Sequence, residues 1–402
     1  MRKKRRKRNP WRIIFLLMII VLVLYFQRVI VPTIPPPFIP TLTPTRSPAS
    51  FVLEAESLFE GGKLGLAEEA YREAILIEPT EPQFHLDLAR VQVFHEKLEE
   101  AEINARNALL LDPNLAKAHA VLAWVLDFKG GEDTLAARES IERAIELDAN
   151  SALVRAYYAE ILMDQGEYEA ALEQARNAVQ LDPNLLEAQR ALGYVWERTA
   201  NYERALESYQ SALRINPNLT ILHISAGDMY QALEFYNDAR ESYLYAVGLD
   251  PENTVPLTRI VNIYARDGQY GIASQYAADA VRKDPENAYL HGNLGRMYYK
   301  NFQYPEAVQS LALAIHGGQT EDGVIVEGLP LDPGSTTVVE FYSTYGLALA
   351  KIDNCDLAVQ IFEALLIGVP DDEIAVFNAT EGLSICSEDP VEATLEPTPT
   401  AE

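Results

Sequence analysis

Small apolar residues recur along this chain at a fixed interval, with large apolar residues filling the positions around them. One set is Ala55, Ala89, Ala123, Ala159, Gly193, Gly227, Gly295 and Gly346. Twelve residues on come Ala67, Ala101, Ala171, Ala205, Ala239, Ala273, Ala307 and Ala358. Seven further on come Ala74, Ala108, Ala144, Ala178, Ala212, Ala246, Ala280 and Ala314. Five more residues reach a proline: Pro79, Pro113, Pro183, Pro217, Pro251 or Pro285, with Ala149 standing 34 residues before Pro183. A 34-residue beat marks a repeat array. Small residues let two helices approach closely where they cross, so the pattern predicts one helix pair per unit. Large residues such as Leu122, Leu192, Trp196, Tyr209, Tyr230, Tyr243 and Tyr298 fill the space between units.

Turn signals separate the two helices of a pair: Gly61-Gly62, Gln165-Gly166, Ala200-Asn201, Asp267-Gly268 and Lys300-Asn301. The proline closes each unit, because it cannot continue the second helix and can open the next one.

Period, small residues and closing proline together resemble the tetratricopeptide repeat (TPR) family over residues 48 to about 372. The resemblance implies an all-α, right-handed α-solenoid of about nine helix pairs, with units starting near 48, 82, 116, 152, 186, 220, 254, 288 and 339. Some units depart from the pattern. The third carries two extra residues around Gly130-Gly131-Glu132, the seventh has Val261 at a small-residue position, and the ninth has Leu365 for alanine. The eighth ends in a Gly- and Pro-rich insertion, about 316–338, read as a loop in which Val324-Ile325-Val326 and Leu329 could form a small hairpin. Its acids Glu321, Asp322, Glu327 and Asp332 do not have the spacing of an EF-hand calcium loop. Residues 373–386 read as one helix capping the apolar end of the solenoid.

Ahead of the array the pattern changes. Residues 1–12 hold a run of seven cations, Arg2 to Arg8, and 13–31 are almost wholly apolar. As a helix the latter would reach about 28 Å, against a bilayer core of about 30 Å. The expectation is one transmembrane signal anchor, with the N-terminus cytoplasmic and the body extracytoplasmic at the cell membrane. A cleaved signal peptide is the competing reading, but no small-residue cleavage site follows the apolar run. Residues 32–50 contain seven prolines and read as an extended stalk, and 387–402 read as a disordered tail.

Charge sharpens this division. The first 50 residues carry +10 and the remainder −36, for a net −26. An acidic body argues against nucleic acid as a partner. Two cysteines exclude a disulfide-dense scaffold and a zinc cluster. His85, His119, His223 and His291 occupy equivalent places in separate units, so they cannot converge on one metal. No phosphate-binding loop, nucleophile elbow, zinc-protease or dinucleotide signature occurs. The chain reads as a non-enzyme without metal or cofactor.

The resemblance also implies where a partner would bind. In TPR arrays the first helices line a concave surface that takes peptide segments. The residues that should face it here are Glu56, Arg90, Trp124, Glu160, Tyr194, Asp228, Asn262, Arg296 and Leu347, with Asp127, Glu197, Gln231 and Tyr299 one turn on. They form either a peptide groove or simply the polar inner wall of a solenoid. Asn262 and Asn293 match the asparagines with which some members grip a partner's C-terminal carboxylate. Thr258, Glu340 and Thr344 stand where that grip needs bases, so the grip is incomplete. Cys355 and Cys386 would form a disulfide on an oxidising side of the membrane, or remain two thiols. The expected function is a membrane-anchored scaffold for an unidentified protein or peptide partner, in assembly of an envelope or surface complex. The alternative is a non-catalytic accessory subunit positioning an enzyme, such as one of envelope polysaccharide synthesis.

Overall fold

The computed structural model describes residues 10–30, 46–130 and 133–387. The basic run, most of the proline-rich segment and the C-terminal tail lie outside these residues.

The first element, α1 (Pro10–Tyr25), has 16 residues and passes directly into a π-helical turn, Phe26–Ile30. No helix among the described residues is long and apolar enough to cross a membrane. The expected span over 13–31 is thus divided. The α-helical hydrogen-bond ladder ends at Tyr25, where Gln27 and Arg28 interrupt the apolar run.

The body is an all-α solenoid of helix pairs. Among the described residues these are α2 (Pro48–Glu60) with α3 (Leu64–Ile77), α4 (Pro82–Phe94) with α5 (Leu98–Leu111), and α6 (Ala116–Lys129) with α7 (Asp133–Leu147). Next come α8 (Ala152–Asp164) with α9 (Tyr168–Leu181), α10 (Leu186–Arg198) with α11 (Tyr202–Ile215), and α12 (Thr220–Ala232) with α13 (Tyr236–Leu249). The last three are α14 (Val255–Arg266) with α15 (Tyr270–Lys283), α16 (Ala288–Lys300) with α17 (Tyr304–His316), and α18 (Thr336–Lys351) with α19 (Cys355–Gly368). A final helix, α20 (Glu373–Ser387), packs on the ninth pair.

The small residues sit where helices cross. The recurring alanines from Ala55 to Ala358 are buried without exception. Where the first helix carries glycine, the second offers a bulky side chain. A Cβ on Gly227 would lie 2.5 Å from the Tyr243 ring, and one on Gly346 2.5 Å from the Phe362 ring. Both rings are fully buried, so neither can step aside.

Each first helix ends in a left-handed residue: Gly62, Glu96, Gly130, Gly166, Ala200, Glu234, Gly268, Phe302 or Asp353, with φ between 57° and 80°. That conformation reverses the chain into the second helix. At the closing turns, Asp112 and Asp182 accept hydrogen bonds from the backbone N–H of Asn114 and Asn184, each at 3.0 Å. This is the local side-chain turn that favours Asp before proline here. The histidines serve the same turns. Rings of His119, His223 and His291 hydrogen-bond the carbonyls of Pro113, Pro217 and Pro285 at 3.0, 2.8 and 3.0 Å.

The insertion contains a small hairpin that takes in Ile325 and Val326 as expected, while Leu329 lies outside it. β1 (Gly318–Gln319) pairs antiparallel with β2 (Ile325–Val326). Leu329 N–H then donates to Ala314 O at 2.8 Å, and Leu329 and Leu331 pack on the core of the last units. The ninth unit's first helix therefore starts at Thr336, earlier than expected, with Ser335 capping it through Val338 N–H. Cys355 and Cys386 are joined by a disulfide with Cα atoms 5.4 Å apart, tying α20 to the start of α19.

Replacing Ala200 by Gly should raise stability by about 1 kcal/mol, since the left-handed conformation costs an L-residue about that much. Gly227→Ala should cost about 1–3 kcal/mol through overpacking. Thermal unfolding of both variants checks the two signs. Reducing the disulfide, which closes a 31-residue loop, should speed amide exchange in α20 and leave α8 to α10 unchanged. Exchange that is identical before and after reduction would contradict this.

Candidate functional site

The concave face falls into two halves with different chemistry. In the N-terminal half the first helices α4, α6, α8 and α10 curve so tightly that the array meets itself. Asn216 and Asn218, in the turn before α12, donate through Nδ2 to the carbonyls of Phe59 and Glu60 at 3.1 and 2.8 Å. Arg90 on α4 reaches across to Glu187 on α10, with Nη2 and Nε at 2.6 and 3.1 Å from one carboxylate oxygen. Phe94 packs beside Leu186, Tyr209, Leu219 and Leu222.

Several expected groove residues are therefore used internally. Trp124 is 6% exposed and donates its indole N–H to Glu160, which is 4% exposed. Arg190 pairs with the same Glu160 carboxylate at 2.9 Å, and its guanidinium lies 5.0 Å from the Trp124 ring centre and 5.7 Å from that of Phe94. Arg90, Glu187, Arg190 and Glu160 make an alternating ladder of charges along the inside of the curl. Burial by itself favours the neutral form of Glu160 and raises its pKa, against the opposing charge of Arg190.

Two hollows open at the ends of this closed stretch. One, of about 270 Å³, is lined by Glu56, Tyr71, Asp87, Arg90, Phe94 and Leu186. The other, of about 200 Å³, is lined by Trp124, Asp127, Phe128, Asp164, Tyr194 and Glu197 among others. Tyr194 hydrogen-bonds Asp164, and Tyr209 donates to Glu197 at 2.5 Å. Burial, followed by the facing carboxylate of Asp164, pushes Asp127 up to about 7. Burial also raises the Glu197 carboxyl.

The C-terminal half stays open. Asp228 on α12 accepts from the Tyr243 hydroxyl at 2.6 Å and from Arg259 of α14 at 2.9 Å. Gln231 takes the same hydroxyl at 3.3 Å. Asn262 is exposed. On α16, Arg296 donates to Asn293 at 3.3 Å and pairs with Glu340 of α18 at 3.0 Å, while the Tyr299 ring lies 5.6 Å from that of Tyr304. The expected inner-wall residues are thus not one continuous surface. Arg90, Trp124 and Glu160 are fastened inside the curl, Asp127, Tyr194 and Glu197 stand at its mouth, and Asp228 to Tyr299 line the open face.

Phe94, Glu187 and Arg190 were not singled out by the repeat pattern, though the closed half is built on them. Their contacts join distant parts of the sequence, 97 residues apart for Glu187 with Arg90, which a 34-residue spacing does not reveal. A further hollow of about 770 Å³ lies beneath the insertion, lined by residues of α15 and α17 with Gln319, Thr320 and Val324. Among the described residues, no group of three or more His, Cys, Asp or Glu is arranged to hold a metal ion.

The fold and its repeated crossings define an all-α helical-repeat solenoid. Residues 122–185, 159–219 and 258–322 match the family model described as tetratricopeptide repeat. No curated protein sequence matches the chain. Among solved structures it is similar to the APC/C hetero-tetramer Cut9–Hcn1, at 18% identity and a TM-score of 0.48 over 62% of this chain. It spans about half, 49%, of the length of that chain. It is also similar to pilF of Pseudomonas aeruginosa, at 24% identity and a TM-score of 0.40, covering 56% of this chain and 97% of that one. A third likeness is human IFIT1, solved as a dimer with PPP-AAAA, at 16% identity and a TM-score of 0.46, covering 66% and 71%.

Because the folded pKa of Asp127 is about 7, against 3.8 for a free carboxyl, the folded state holds a proton that the unfolded chain releases. That contribution is fully present below about pH 4 and is lost as pH rises through 7. Asp127→Asn should therefore raise the melting temperature at pH 8 by about 2 °C and leave it unchanged at pH 4. An equal shift at both pH values would refute the assignment.

Proposed function

We propose that this chain is a membrane-anchored TPR scaffold whose open concave face, on α12, α14, α16 and α18, binds a protein partner. The observation that carries the binding site is the contrast between the halves. Most charged side chains in the curl are paired and buried, while Asp228, Arg259, Asn262, Asn293, Arg296 and Tyr299 line a face that none of the described residues closes over. Paired charges beside aromatic rings on a concave helical wall suit a peptide or helix with its own polar groups.

Anchoring is supported by α1. Its side chains from Ile14 to Tyr25 are exposed and apolar or aromatic, including Phe15 at 63% and Leu22 at 64%. A helix apolar all round needs an apolar surrounding, and lipid is the one that also suits the seven cations preceding it. With those cations on the cytoplasmic side, the body lies outside the cytoplasm, a setting in which the Cys355–Cys386 disulfide persists. The scaffold would then serve assembly of an envelope or surface complex.

Crosslinking pull-down from membranes tests the face. Asn262→Glu and Tyr299→Ala should each recover less than a third of the wild-type partner, and Leu110→Ala, at an 81%-exposed position on α5, should recover all of it. Equal recovery from all three would remove the open face as the site. Protease added to intact cells tests the placement, and a body left uncut would reverse the orientation.

A further inference from the structure

The curl contains a contact that has the form of a bound ligand. Helix α4 presents Arg90 and Phe94, four residues apart and so on one face, to a seat formed by α10 and the turn into α12. Arg90 meets Glu187, whose side chain is wholly buried. Phe94 enters the apolar pocket of Leu186, Tyr209, Leu219 and Leu222, with the Arg190 guanidinium 5.7 Å from its ring centre. The chain's own helix does not satisfy this seat. Both Arg90 contacts fall on Glu187 Oε1, while Glu187 Oε2 and Arg190 Nε are buried with no hydrogen-bond partner among the described residues. A guanidinium spanning both carboxylate oxygens would make the stronger, bidentate pair.

Besides Arg90 and Phe94, the closure is held by Phe59 and Leu64, which pack on the same apolar cluster with the Phe59 ring 5.5 Å from that of Phe94, and by the two hydrogen bonds from Asn216 and Asn218 to the end of α2. At the same place a Cβ on Gly62 would lie 2.2 Å from Asn218 O, so the closure tolerates no side chain there.

From these contacts we infer that the concave surface of α10 and the turn into α12 is a docking seat for a partner helix carrying an arginine and a phenylalanine four residues apart. In the closed form α4 occupies this seat, and the partner enters by displacing it. This rests on reading the concave face as the partner site, and it extends that site into the half that is closed. Charge complementarity selects the occupant. The seat offers a buried carboxylate with an unpaired oxygen beside an apolar pocket already shaped for one aromatic ring.

The test uses the full chain in detergent and an alanine- and glutamine-rich 15-residue helix with one Arg and one Phe four apart. A control peptide has the same composition with Arg and Phe two apart, which keeps the charge and loses the shared face. Calorimetric titration should give at least tenfold tighter binding to Asn216→Ala/Asn218→Ala, and to Gly62→Ala, than to wild type. The control peptide should bind both opened variants at least tenfold more weakly. Should either variant fail to fold, the wild-type chain still decides. Saturating peptide should raise amide exchange in Gln83 to Phe94 and leave α14 to α17 unchanged.

Equal binding of the two peptides, equal binding to opened and wild-type chains, or no rise in α4 exchange under saturating peptide would each overturn the seat. A concentration-dependent dimer of the opened variants that excludes the peptide would assign the seat to a second copy, and would also overturn it. These results are separate from those for Asn262 and Tyr299. If the seat fails and those variants still lose the partner, only the open half binds. If the seat holds while they do not, the open-face reading fails alone.

Discussion

Close approach of paired helices at residues with almost no side chain is the constraint on which this molecule depends. Alanine stands at most crossings, and at Gly193, Gly227 and Gly346 a glycine receives a Tyr or Phe ring from the facing helix. The crossing is interlocked rather than merely tight, because the ring fills the volume the glycine leaves. Each pair thus has one stable relative position, and each pair stacks on the next with little freedom. A small rotation fixed in every unit accumulates along the array. Over the first five units it accumulates far enough for α2 to touch the turn before α12.

That closure changes the meaning of the inner wall. Charged residues on an open solenoid face water, where ion pairs contribute little. Inside the curl, Arg90, Glu187, Arg190 and Glu160 alternate in sign; all but the half-buried Arg90 are shut away from water, and Arg190 lies against Phe94 and Trp124. Removing one member would leave an unbalanced charge in a poorly solvated place, which is far more costly than losing a surface pair. The same residue types on α12 to α18 keep contact with solvent, and their pairs, such as Arg259 with Asp228, can exchange partners. One inner wall therefore yields a fastened half and an available half.

The fold was largely legible in the sequence, and the site only in part. Helix pairs, turns and closing prolines are local features, each written within about one unit. The repeated histidines were equally legible as structural, since each holds one place in its unit; His119, His223 and His291 bond the carbonyl six residues back, and His85 bonds Asn104 instead. The alternation at Val324-Ile325-Val326 made a small hairpin in the insertion legible, but Gly318 and Gln319 as its other strand were not, and Leu329 and Leu331 gave no sign of which surface they would join. Trp124 and Glu160 were placed on the inner face, but nothing in their spacing said that they would bond each other and be shut away from a partner.

The repeat pattern alone specifies the unit: two helices, the turns that bound them in the regular pairs, and which residues lie at their crossing. It could do so because those choices depend on backbone geometry and packing between neighbours in the chain. How tightly the units curl, which inner-wall charges pair with one another, and where the wall stays open emerge only when the whole array is assembled. Curvature is a sum of small rotations set by the detailed fit of every interface. Contacts such as Arg90 with Glu187, 97 residues apart, exist only once that sum is complete.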